Sequence, residues 1–153
     1  MPREASNVIP QGDREQYEAL FDPLTGLPRW ALLIDRTDVA LARARRVNRK
    51  VAVFVLDDVK TSSGAAPDIE RFVTKLRGNV RSDDTIARVA DHTFVVVCNN
   101  IGRDKDAALV AQRLVQNTEV VCRLGISLSG DDEDASALLT SAVKQAMRTT
   151  PAT

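Results

Sequence analysis

The stretch RSDDTIARVADHTFVVVC, residues 81–98, decides how this chain folds. Two short apolar runs, 85–89 and 94–98, flank a polar centre made of Ala90, Asp91, His92 and Thr93. Runs of that length, rich in Val, Ile, Thr and Phe and separated by a short polar break, predict two strands joined in an antiparallel hairpin.

Outward from the hairpin, strands and helices alternate. VAVFVLD (51–57) is apolar without a two-residue alternation, as a central strand buried on both faces should be. VVCRLGISLS (120–129) reads as another strand. Over 29–46, Trp30, Leu33, Ile34, Ala40, Leu41 and Ala44 recur at helical spacing, and arginines crowd the C-terminal end, where the helix dipole favours them. Asp68 is placed to cap a second helix whose stripe is Ile69, Phe72, Val73, Leu76 and Val80. A third helix runs to about Gln116 behind Ala107, Val110, Ala111 and Leu114. A fourth, over 134–148, carries Ala135, Leu138, Leu139, Ala142, Val143, Ala146 and Met147. Residues 1 to about 12 read as a loose tail, 13–21 as one or two helical turns, 22–28 as turn chemistry, and 58–67 as a flexible Ser/Gly/Ala loop. Residues 99–102 end the hairpin. Helices interspersed with strands at this length make an α/β or α+β sandwich in one domain.

The bulk numbers exclude several functions. Hydrophobic residues are 44% and charged residues 27% of 153, the balance of a globular domain. No apolar run approaches the roughly 20 residues a bilayer span needs. The first 16 residues contain no apolar h-region, so neither a secretory leader nor a membrane partner is expected, and a cytoplasmic location follows. Lys+Arg and Asp+Glu are both 21, which removes the bulk electrostatic case for nucleic acid. The basic run ARARRVNRK (42–50) and the acidic run GDDED (130–134) read first as solvated faces. Cys98 and Cys122 lie in strand-like runs without C-x-x-C spacing and are expected as free, buried thiols.

The order of elements and several motifs resemble the GGDEF domains of bacterial diguanylate cyclases. DPLTGLPRW (22–30) is similar to that family's D-x-L-T-G-L-x-N-R motif, and NVRSDDTIARV (79–89) and FVVV (94–97) fall in its hairpin. The resemblance implies a nucleotide-cyclase-like fold, with a central mixed sheet of about five strands that contains the hairpin and is flanked by helices. It also implies a division into a tail with a short helix over 1–20 and a degenerate GGDEF domain over 21–150.

In that family two GTP-loaded domains condense their nucleotides into cyclic di-GMP, a phosphoryl transfer that needs metal ions and positioned groups. The family's hairpin turn has two glycines that let the backbone approach the ligand, followed by an acidic residue that holds metal. Counted back from Phe94, the same register here holds Ala90, Asp91, His92 and Thr93. The first two carry Cβ atoms, and a neutral imidazole is a poor ligand for Mg²⁺. His92 is the only histidine, and with Asp57 it would make two ligands, too few for a zinc site. Asp57 matches the family's first metal carboxylate if the strand sets the register; counting from Lys60 moves the match to Val55. The loop in which the family's Asn and Asp read guanine is shorter here, with no Asn between Asp57 and Phe72, and the family's phosphate-binding Lys falls near Thr150. The resemblance therefore implies no catalytic residues, no metal, no cofactor and no enzyme activity.

A second family site, the product-inhibition site, is marked by R-x-x-D before the turn. Arg81 and Asp84 occupy that register, and Arg113 falls where the family takes a further arginine from the next helix. Arginine forks can hold phosphate or guanine bidentately, and a carboxylate can accept from guanine N–H donors. The plainer reading of the same residues stays beside this one: Arg81 favoured at a helix C-terminus, Asp84 polar at a strand entry, Arg113 exposed on a helix. The basic run around 43–49 is a source of one more arginine from a neighbouring subunit. The expected function is cyclic di-GMP binding and signalling. The alternative is a ligand-independent interaction or dimerisation module, with a protein partner or a second copy, that has lost both nucleotide sites.

Overall fold

A computed structural model of the chain describes residues 11–130, 133–149 and 151–152. The elements, in order, are α1 (Gln11–Leu20), α2 (Trp30–Arg46), β1 (Lys50–Thr61), α3 (Ile69–Gly78), β2 (Thr85–Ala90), β3 (Thr93–Ile101), α4 (Asp104–Leu114), β4 (Val120–Leu128), α5 (Ala135–Arg148) and β5 (Pro151–Ala152). Strand order across the sheet is β2-β3-β1-β4-β5. Among the described residues every pairing is antiparallel, so the expected mixed sheet is corrected. Four strands of the described residues make the sheet, and β5 adds a two-residue pairing there, Cys122 with Ala152 and Arg123 with Pro151.

The uninterrupted apolar run of β1 follows from its central place. Ala52, Phe54 and Leu56 point to one face, where α3 brings Phe72, Val73 and Leu76 and α4 brings Ala107, Val110, Ala111 and Leu114. Val51, Val53 and Val55 point to the other, against Leu33, Ala40, Leu41 and Ala44 of α2 and Leu138, Leu139, Ala142 and Ala146 of α5. Both faces are covered, so neither set of side chains can be polar. Full burial of each Phe, Leu or Val stabilises by about 1.5–3 kcal/mol. Phe72 and Phe94 meet edge to face with centroids 5.0 Å apart, the geometry that the ring quadrupoles favour.

β1 runs past its expected end at Asp57. Asp58 takes a left-handed φ of 53°, the register against β4 shifts between Asp57 and Lys60, and Val59 returns to the core at 1% exposure. A bulge thus carries the strand through the first residues of the expected loop. β3 likewise continues to Ile101, with Asn100 left-handed at φ 63°, instead of stopping at Cys98. The cap at Asp68 is present: its side chain accepts from Arg71 N at 3.2 Å. Cys98 and Cys122 are free and buried. The loose tail expected over residues 1 to about 12 lies outside the described residues except at Gln11 and Gly12, which open α1 instead, and Thr150 also lies outside them.

Gly125 is required by packing. A Cβ there would stand 2.1 Å from Ala142 O and 2.6 Å from Ala146 N, so its absence lets α5 lie directly on β4.

Candidate functional site

The hairpin turn closes on two residues, Asp91 and His92, with Ala90 paired to Thr93 across it. Neither turn residue has a positive φ, so the chain reverses here without glycine. Asp91 and His92 are exposed. His92 acts through its backbone, its carbonyl accepting from Val59 N at 2.9 Å.

Asp57 faces the turn from the end of the regular part of β1. Thr93 Oγ1 donates to its Oδ1 at 2.8 Å, and Arg123 Nη2 donates to its Oδ2 at 2.8 Å. Arg123 is the residue opposite Asp57 in the β1–β4 register, so the pairing of strands delivers the guanidinium to the carboxylate. Asp57 is thus neutralised by an arginine of its own sheet. Arg123 Nε is buried and finds no acceptor among the described residues. Val55, the position reached by the other count, is fully buried in the core under α2 and α5 and is no candidate ligand. Among the described residues, no three His, Cys, Asp or Glu side chains gather as a metal would require.

The turn is also tied to the N-terminal wide turn. Asp22, 6% exposed, accepts from Thr25 N at 3.0 Å, Thr25 Oγ1 at 2.6 Å and Arg88 Nη1 at 3.1 Å. Burial pushes the Asp22 carboxyl up, but the hydrogen bonds from Thr25 and Arg88 outweigh it and hold the group below its ordinary value. Gly26, at φ 72°, closes this turn with its N–H donating to Asp22 O. Arg88 in turn donates from Nε and Nη2 to Asp91 O, at 3.2 and 2.7 Å, and lies over the Phe94 ring.

Arg81 and Asp84 sit at the opposite end of the hairpin. Six residues of β2 separate them from the turn, about 20 Å of extended chain. Asp84 closes the 81–84 turn: Oδ2 accepts from Arg81 N at 3.0 Å, while Oδ1 accepts from Asn99 N at 3.3 Å. Both bonds go to backbone, which leaves lone pairs on the carboxylate. Arg113 reaches back from α4, its Nε donating to Asn79 O at 3.4 Å, two residues before Arg81. All three groups act on the buried Cys98 thiol: burial pushes it up most, Asp84 adds to this, and Arg113 and Arg81 oppose it. Arg81 and Asp84 thus share one turn, and Arg113 reaches the chain at Asn79, two residues before that turn. In the basic run, Arg45 and Arg49 are spent on the carbonyls of Glu133 and Asn100, whereas Arg43 is exposed on α2.

No family model matches the chain. Over 117 residues it is 34% identical to the bifunctional diguanylate cyclase/cyclic di-GMP phosphodiesterase MucR of Pseudomonas aeruginosa, an alignment that takes in 71% of this chain and 17% of MucR. The chain spans less than a third of the length of the curated relatives it matches. A sensory box/GGDEF family protein of Caulobacter crescentus superposes with a TM-score of 0.72 at 24% identity, covering 86% of this chain and 97% of that one. The chain is a GGDEF-like domain. The coiled coil and GGDEF domain of DgcB from Caulobacter crescentus, solved in complex with c-di-GMP, matches with a TM-score of 0.68 at 15% identity over 88% of this chain and 82% of that one.

Within this GGDEF-like domain, reading the sequence missed Arg123 and Arg88. Their one signal is a charge inside an otherwise apolar strand, VVCRLGISL for Arg123 and TIARVA for Arg88. No helix among the described residues is long and apolar enough to cross a membrane.

Proposed function

We propose that this GGDEF-like domain is catalytically inactive and works as a cyclic di-GMP-binding signalling module through Arg81, Asp84 and Arg113. The observation that carries the reading is that Asp84 closes the turn that begins at Arg81, while Arg113 reaches the same segment at Asn79, at the end of the hairpin away from the turn. Two guanidinium forks beside a carboxylate with unused lone pairs offer donors for phosphate or the guanine O6/N7 edge and acceptors for guanine N–H groups. The complex of DgcB with c-di-GMP supports the ligand class for a domain of this fold. Loss of catalysis is supported by the turn Ala90 to Thr93 with Phe94 behind it, which offers no carboxylate after a glycine pair, and by Asp57, whose two oxygens are taken by Thr93 and Arg123.

Calorimetric titration of cyclic di-GMP into the wild type and an Arg81→Ala/Arg113→Ala variant tests the binding site. Saturable binding that disappears in the variant is expected. A folded wild type that binds nothing overturns the receptor reading and leaves the ligand-independent interaction module. Incubation with GTP and Mg²⁺ or Mn²⁺ tests the other half: no cyclic di-GMP is expected, and its appearance overturns the assignment of inactivity.

A further inference from the structure

Arg36 of α2, Arg77 of α3 and Arg81 line one cleft of about 500 Å³ between the wide turn and the start of β2. All three are exposed, and among the described residues none of their guanidinium groups donates a hydrogen bond or forms an ion pair. Asp84, the one carboxylate on the wall, is held by the backbone N–H groups of Arg81 and Asn99. Leu27, Pro28 and Ile86 supply an apolar side to the same cleft. Like charges brought to one concavity repel, and the cheapest remedy is a bound anion that all three can share. The volume suits a small molecule, and the guanidinium fork matches phosphate oxygens.

We propose that this cleft is a second anion seat, in which Arg36, Arg77 and Arg81 hold a small ligand carrying two or more phosphate charges, its non-phosphate part lying on Leu27, Pro28 and Ile86. The seat is separate from the approach to Arg113, since Arg113 does not line it. It shares Arg81 and the wall residue Asp84 with the site proposed above, and Arg36 and Arg77 belong to it alone.

The test titrates inorganic pyrophosphate into the wild type, an Arg36→Ala/Arg77→Ala variant, and Arg148→Ala, which removes an exposed arginine on α5. Thermal melts confirm that each variant is folded. Pyrophosphate affinity should fall about tenfold or more per guanidinium removed in the double variant. Arg148→Ala should leave it unchanged. No pyrophosphate binding by the wild type, or equal losses in the double variant and Arg148→Ala, overturns the seat. A parallel titration with cyclic di-GMP keeps the two readings apart. Pyrophosphate binding that depends on Arg36 and Arg77 establishes the seat even where cyclic di-GMP fails to bind, a result that would remove only the receptor reading.

Discussion

Arg123 and Asp57 stand opposite each other in the β1–β4 register, and the guanidinium donates to the carboxylate at 2.8 Å. Asp57 is mostly sheltered, its side chain 18% exposed, so its charge needs a partner. The sheet supplies one from the neighbouring strand, and Thr93 supplies the second donor from across the turn.

Arg123→Ala should therefore destabilise the domain by about 1–3 kcal/mol, the cost of leaving a sheltered charged acceptor short of a partner. Adding Asp57→Asn should restore part of that loss, because the orphaned charge goes with it. Urea denaturation of the two single variants and the double variant measures the coupling. Additive losses would show that the pair contributes nothing as a pair.

Much of the fold was legible because its signals are local. The stripe of α3 and the unbroken apolar run of β1 each follow from a single requirement, burial of one face or of two. The Asp57–Arg123 pair was not legible, since the register that joins residues 66 positions apart is set by tertiary pairing. Continuation of β1 beyond Asp57 was hidden for a different reason. It depends on a left-handed aspartate, a conformation that short polar side chains tolerate but that composition does not announce. Arg81 and Asp84 were visible as a motif, and Arg113 by register, yet the turn of α4 that aims Arg113 toward Asn79 needed coordinates.

Gly125→Ala should be one of the most damaging small substitutions in the domain. The added methyl would overlap backbone atoms of α5, which cannot swing aside as a flexible side chain can. Overpacking of this kind costs about 1–3 kcal/mol. At this chain length that is a fall in melting temperature of roughly 2–12 °C. Differential scanning calorimetry reads it directly, and an unchanged melting temperature would mean that α5 lies farther from β4 than the structure places it.

Asp22 predicts an acid-labile link between the wide turn and the hairpin. Its folded-state value lies below the ordinary 3.8, so the folded state holds the ionised form more strongly than the unfolded chain does. The stability this contributes is present above about 3.8 and is lost as pH falls through the folded-state value. Asp22→Asn should lower stability at neutral pH, where Arg88 and Thr25 lose a charged acceptor, and should flatten the fall in stability below about pH 4. Chemical denaturation from pH 2.5 to 7 gives both curves. Parallel curves would exclude Asp22 as a source of the acid dependence.

The two thiols offer an internal reporter. Burial pushes Cys122 up to about 11 and raises Cys98 as well, so both stay protonated and unreactive at pH 8 until the structure opens. Iodoacetamide should accordingly label neither at an appreciable rate in the native state and both after denaturation. Beyond burial, Asp84 raises the Cys98 thiol and Arg113 and Arg81 oppose it, whereas Cys122 sits in β4 and is raised by burial and then by Asp57. A ligand seated on the three-residue cluster should therefore slow labelling of Cys98 by holding closed the elements that cover it, with a smaller effect on Cys122. Mass spectrometry of the labelled peptides, with and without cyclic di-GMP, separates the two sites. Equal slowing at both would indicate general stabilisation of the fold, and no slowing at either would place any bound ligand away from the cluster.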